Sequence, residues 1–171
     1  ERVLIGQISG DLLYSNIDSI KKATPGNPGE KKATLSTSVI GSLSNNNATG
    51  LYGDIRTSSL LTKPKIEVGT QNDIKVGKAK ILTVINDDKV SEYDIEIIEV
   101  LKQNTRNIKG IKVKVTDPIL IEKCGGIIQG MSGSPIIQNN KLIGAISHVT
   151  IDDPLIGYGI HIEWMLSDEN Y

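Results

Sequence analysis

Along one stretch of the chain Tyr93, Ile95 and Ile97 alternate with Asp94 and Glu96. The same two-residue period returns in Ile111, Val113 and Val115 and again in Tyr158, Ile160 and Ile162, where it leaves His161 on the other face. Successive side chains of a strand point to opposite faces, so each run reads as a half-buried β-strand. Only residues 162–168 look helical, and that segment is short. Phe is absent and there is a single Trp, so Ile, Val and Leu must supply most of the interior. The β-branching of Ile and Val favours strands as well. At 171 residues and 38% hydrophobic content the chain can bury a real core. Domains of about this size bury roughly 68–70% of their unfolded surface. The expectation is an almost all-β protein, one domain with two lobes.

Turn residues divide the chain. Val3 to Ile8 and Leu12 to Ile20 read as strands on either side of Ser9-Gly10-Asp11. Lys21 to Lys32, with two prolines and two glycines, reads as a loop. Ala33 to Ile40 and Gly50 to Ile55 read as short strands around a polar turn at Ser42 to Ala48. These make a first lobe over residues 1–55. Residues 56–76, polar and containing Pro64, form the crossing to a second lobe over 77–171. There Lys78 to Ile85 and Ser91 to Val100 read as a hairpin around Asn86-Asp87-Asp88, followed by a strand at Gly110 to Thr116. No convincing internal repeat is visible.

Nineteen basic and twenty acidic residues give a formal charge of -1, which supplies no general field for attracting nucleic acid. Lys63, Lys65, Lys75, Lys78 and Lys80 are interspersed with Glu67 and Asp73 and read as a solvated surface. Cys124 is the only cysteine, so an internal disulfide is impossible, and it reads as a small core residue. With only His148 and His161 there is no Cys/His cluster of structural-zinc type. Neither a metal nor an organic cofactor is expected. No apolar run of about 18 residues and no signal peptide occur. The start at Glu1 suggests a processed or excised part of a longer protein.

Gly130-Met131-Ser132-Gly133-Ser134-Pro135, between two apolar runs, is the best candidate for a chemical centre. Glycines let the backbone take turns closed to other residues and bring amides close to a bound group. A serine held there can attack a carbonyl while the Gly130 and Ser132 N–H groups face the developing oxyanion. The same six residues also fit an ordinary hairpin turn.

The residues downstream of this loop favour chemistry. Lys141 to His148 succeeds a turn at Gln138-Asn139-Asn140, and Gly157 to Leu166 then closes most of the chain. The order resembles the carboxyl-terminal barrel of chymotrypsin-like serine peptidases: a G-x-S-G-x-P loop, a hairpin, the strand lining the substrate cleft, and a last strand leading into a short helix. The resemblance implies a double β-barrel, here with an incomplete amino-terminal barrel. It makes Ser132 the nucleophile, the Gly130 and Ser132 amides the oxyanion donors, and Ser134 a support for the loop.

A closer resemblance is to the SpoIVB-type peptidases, the peptidase family of stage IV sporulation protein B in endospore-forming bacteria. It rests on Lys114-Val115-Thr116-Asp117-Pro118, on Gly125-Gly126-Ile127-Ile128-Gln129-Gly130-Met131-Ser132-Gly133-Ser134-Pro135-Ile136-Ile137, and on Gly157 to Leu166. Gly26-Asn27-Pro28-Gly29-Glu30-Lys31 and Gly77 to Leu82 resemble that family too. By this resemblance Asp117 is the catalytic aspartate, although Asp before Pro is also a common turn start. The family's histidine precedes its aspartate, whereas His148 and His161 both follow Ser132. The base is therefore expected upstream of Glu1, and the chain alone is expected to be inactive or severely impaired.

His148, on the cleft-lining strand, is expected to touch substrate, with Ser147 beside it and Gly126 bordering the pocket. Thr116 and Ser147 are candidate hydrogen-bonding neighbours of the triad, Asp152 and Asp153 candidate shapers of specificity, and His161 a structural residue. The resemblance further implies self-cleavage and cleavage of a membrane-linked sporulation regulator. Its setting would be the space between mother cell and forespore, in a parent protein with a PDZ domain and a membrane anchor. The competing reading is a peptidase-like module that binds peptides without chemistry. A weaker third is a shell protein that assembles through exposed strand edges.

Overall fold

Gly10–Lys21 (β1), Glu30–Asn47 (β2) and Gly50–Ile55 (β3) pair antiparallel in the order β1-β2-β3. The computed structural model describes residues 9–58 and 62–167. The strand expected at Val3 to Ile8 lies outside the described residues. The turn expected at Ser42 to Ala48 is instead strand as far as Asn47, with Asn45, Asn46 and Asn47 paired to Tyr52, Leu51 and Gly50. The actual turn is tight, and the Asn47 side chain holds it by accepting from the N–H groups of Thr49 at 2.9 Å and Gly50 at 3.2 Å. Polar composition misplaces this turn because much of the ribbon is solvated, so its strands need no apolar alternation. Register shifts between Leu12 and Leu13, Leu13 and Ser15, Ile17 and Ser19, and Leu43 and Asn45 mark bulges. Bulges bend a strand and increase its twist.

The remaining strands are Glu67–Val68 (β4), Gly77–Val84 (β5), Val90–Val100 (β6), Ile111–Val115 (β7), Pro135–Gln138 (β8), Lys141–Val149 (β9) and Ile156–His161 (β10). Six of them run in the order β10-β7-β6-β5-β8-β9, and pairing of β9 with β10 closes the ring. Short β4 adds to β9 in parallel. Two of the period-two runs behave as read: Tyr93, Ile95 and Ile97 are buried while Asp94 and Glu96 are exposed, and Ile111, Val113 and Val115 are buried. In the third, Ile160 and His161 are both buried and Ile162 already begins the closing helix. Ile81, Ile95, Ile97, Ile111, Val113, Val115 and Ile136 share the barrel interior with Met131. Cys124 is buried there as a free thiol, and burial pushes its pKa up to about 11. The chain is thus all-β in the chymotrypsin-like manner, with one closed barrel and an open three-stranded sheet beside it.

Two short helices lie wholly within the described residues. Ile162–Ser167 (α2) was expected; Pro118–Cys124 (α1) was not. Its signals are nonetheless in the sequence. Asp117 caps the amino end, proline occupies the first turn, and Gly125 closes the carboxyl end by donating its N–H to the Ile121 carbonyl. Seven residues are too few to display a helical period.

The ribbon is tied to the barrel through β1, the β1–β2 loop and the start of β2. Ile17 N–H donates to the Asp87 carbonyl at 2.7 Å, Ala23 to Cys124 at 2.8 Å and Gly26 to Ile151 at 3.0 Å. Lys31 N–H donates to the Gln129 carbonyl, and Gln129 N–H to that of Gly29, each at 3.0 Å.

Candidate active site

The segment from Gly125 to Ser134 joins α1 to β8 and is anchored by the buried side chains of Ile127, Ile128 and Met131. Its backbone turns on hydrogen bonds from Met131 N–H to the Ile128 carbonyl at 3.1 Å and from Ser134 N–H to that of Met131 at 3.0 Å. Gly133 N–H donates to Ile146 at 2.8 Å, and Ile146 N–H returns to Ser134 at 2.9 Å, which fastens the loop to β9. Gly130 reaches this path at φ 92°, in the region that favours glycine. The N–H groups of Gly126, Ile128, Gly130 and Ser132 meet no hydrogen-bond acceptor among the described residues, and the last two stand at the exposed serine. Most backbone N–H groups in folded proteins are paired, so the free Gly130 and Ser132 donors beside an exposed hydroxyl are available to a bound oxygen.

The two hydroxyls of the loop differ. Ser132 is exposed, while Ser134 is buried and its Oγ donates to Thr83 Oγ1 at 3.1 Å. Ser132 stands where two cavities adjoin, one of ≈ 290 Å³ and one of ≈ 480 Å³. Both are lined by Ile146, Ser147 and His148 of β9. Pro28, Ile127 and Ile151 complete the first, and Thr49, Gly50 and Met165 help to complete the second. A larger cavity of ≈ 550 Å³, between β3 and α2, includes none of the loop's residues.

His148 therefore shares a cleft with Ser132, and its Nδ1 is buried without a partner among the described residues. Burial, reinforced by the nearby Lys109 ammonium, lowers its pKa and favours the neutral imidazole. Ser147 lines the same cleft, but its hydroxyl donates inward to the carbonyls of Ile108 at 2.6 Å and Tyr158 at 3.1 Å. Gly126 is absent from the cleft wall: a Cβ there would stand 2.2 Å from the Pro154 carbonyl oxygen, so close backbone packing explains this glycine. His161 is fully buried, with Nε2 at 2.9 Å from the Leu101 carbonyl. In the loop beyond β9, Asp153 accepts from Leu155 N–H at 3.1 Å.

Asp117 is used locally. Its Oδ1 accepts from Ile119 and Leu120 N–H at 2.9 and 3.0 Å, and its Oδ2 from Asp94 N–H at 3.2 Å. Asp117 follows β7 and Ser132 precedes β8, and these strands stand three places apart in the six-strand ring, across the barrel. Asp117 lines neither cavity at Ser132.

Sequence reasoning placed Lys31 only within a loop and a family motif. In the fold its Nζ donates to Thr83 Oγ1 at 2.7 Å, and burial lowers its pKa to about 8. Nothing local marks it, because Lys31 and Thr83 are 52 positions apart.

No curated protein and no solved structure matches the chain. The family profile described as SpoIVB peptidase S55 matches residues 2–166. That span takes in the serine loop, both walls of its cleft and every described strand, and on it the chain belongs to the SpoIVB peptidase S55 family.

Proposed function

We propose that this chain carries a serine endopeptidase centre with Ser132 as nucleophile. The family supplies the class, a peptidase acting on peptides or proteins. One observation carries the finer reading: Ser132 is exposed at the meeting point of two cavities and is flanked by two amides without acceptors. Ser132 Oγ attacks the scissile carbonyl carbon as its proton passes to an imidazole. The carbonyl oxygen gains the negative charge and is held by the Gly130 and Ser132 N–H groups. Collapse of the adduct expels the amine, which takes the proton back, and water then releases the acyl group.

By the family resemblance the base is a histidine that precedes the aspartate in chain order, a place held by neither His148 nor His161. His148 acts as a cleft wall whose neutral imidazole contacts the peptide. The resemblance also gives Asp117 the orienting carboxylate. Two donors of its own helix and its absence from both cavities at Ser132 support capping as its task instead. From the same resemblance we carry over the setting: a sporulation protease that cleaves itself and a membrane-linked regulator between mother cell and forespore, within a protein bearing a PDZ domain and a membrane anchor.

The test is a serine-directed phosphonate applied to the full-length protein, followed by peptide mapping and turnover of a fluorogenic peptide. Modification of Ser132, lost together with turnover in Ser132→Ala, is expected. Modification of Ser134 alone, or turnover that survives Ser132→Ala, overturns the assignment.

A further inference from the structure

The Gly26 to Lys31 motif lies in the β1–β2 loop and the start of β2, outside the barrel that carries Ser132. Its last residue nevertheless meets the nucleophile loop directly at Gln129 and Gly130 and reaches Ser134 through Thr83 of β5. Lys31 N–H holds the Gln129 carbonyl at 3.0 Å, just ahead of the oxyanion glycine. Its aliphatic stem passes against Gly130, where an added Cβ would stand 3.2 Å from Lys31 Cβ and 3.4 Å from its Cγ and Cδ. Its Nζ then reaches Thr83 Oγ1 at 2.7 Å, and that hydroxyl also accepts from Ser134 Oγ at 3.1 Å. The backbone of this one ribbon residue thus holds the loop at Gln129, while its side chain lies against Gly130 and is linked to Ser134 through Thr83.

We propose that Lys31 is a positioning residue for peptide hydrolysis, clasping the nucleophile loop so that the Gly130 and Ser132 amides are held for the oxyanion. This rests on Ser132 as nucleophile. A lysine is an expensive choice for such a place. No carboxylate stands within ion-pair distance of it among the described residues. The titratable group facing it is the Cys124 thiol of α1, which stays neutral at pH 7 with its pKa near 11. The folded chain therefore binds fewer protons at Lys31 than the unfolded chain between about pH 8 and 10.5. It follows that the charged form opposes folding most fully below about pH 8 and ceases to do so as pH rises through that window. A group that opposes stability yet runs along Gly130 to the Thr83 hydroxyl that also holds Ser134 fits a role in function.

The experiment compares Lys31→Met and Lys31→Arg with wild type by amide exchange and by turnover. The Met131, Gly133 and Ser134 amides are hydrogen-bonded in the loop and report on its closure. In Lys31→Met they are expected to exchange about tenfold faster, while β6 and β7 keep their protection and the melting temperature does not fall. Turnover is expected to lose about tenfold or more in kcat with KM little changed, since the clasp serves the transition state. Lys31→Arg restores both in part. Unchanged exchange at the three amides overturns the proposal, and so does faster exchange across the whole barrel with a lowered melting temperature. Exchange reads the clasp whether or not Ser132 reacts. Failure of Ser132 labelling in wild type thus removes the nucleophile assignment, whereas unchanged exchange removes the clasp.

Discussion

Ser132 and Ser134, two positions apart on one loop, face different surroundings: Ser134 is 8% exposed and donates to Thr83, whereas Ser132 opens onto the cleft. Ser132→Ala is expected to lower kcat by at least about 10⁴-fold, the scale set by loss of a catalytic serine. Ser134→Ala keeps the nucleophile and loses a buried hydrogen bond. It should lower stability by about 1 kcal/mol in denaturant titration and leave phosphonate labelling of Ser132 in place.

The cap and the orienting role of Asp117 are separable, because Asn caps a helix nearly as well as Asp but carries no charge. Asp117→Ala is expected to cost about 1 kcal/mol, read as a lower denaturation midpoint. Asp117→Asn should cost less and keep kcat within a few-fold. A drop of about 10⁴-fold in the Asn variant, with its stability intact, would restore the orienting role.

Two glycines of the same motif should fail in different ways. At Gly126, φ is 134° and an added Cβ would lie 2.2 Å from the Pro154 oxygen and 2.5 Å from its carbonyl carbon. Gly126→Ala should therefore destabilise the whole domain, by about 1–3 kcal/mol from backbone strain alone. At Gly130 the obstacle is the flexible stem of Lys31 at 3.2 Å. Gly130→Ala, strained by its φ of 92° but facing only a flexible neighbour, should cost less stability, about 1 kcal/mol, and lower kcat by about 10²–10³-fold through a displaced oxyanion donor. Equal melting losses in the two variants would contradict this division.

His148 should govern affinity and acid stability rather than the chemical step. His148→Ala is expected to raise KM several-fold with kcat little changed, the pattern of binding shared by ground and transition states. Its pKa is lowered in the fold from 6.5, so below that value the unfolded chain takes up the proton first. This contribution to stability is complete above about pH 6.5 and declines as pH falls toward the folded pKa. Melting curves of His148→Asn should decline less on acidification than those of wild type. Identical acid limbs would remove His148 as their source.

Much of the barrel was legible because strand alternation is a local property. Tyr93, Ile95 and Ile97 point inward for the same reason that Asp94 and Glu96 point out, whatever lies across the barrel. The ribbon was less legible. Its polar residues at Ser42 to Asn47 are strand because Gly50 to Ile55 pairs with them, not because of any pattern of their own. Helix α1 escaped notice because Asp117-Pro118 serves equally to start a turn, and seven residues show no period.

The sequence by itself determined the all-β class, the serine loop and the family, since each depends on side-chain alternation or on turn residues within a few positions of one another. Only the tertiary structure decided which serine faces the cleft, that Asp117 is held by its own helix and by β6, and that Lys31 runs beneath Gly130. Those outcomes depend on which segments meet across the closed ring. Lys31, Thr83 and Ser134 are each about 50 positions from the next, and no local pattern encodes a contact that only closure of the barrel and docking of the ribbon create.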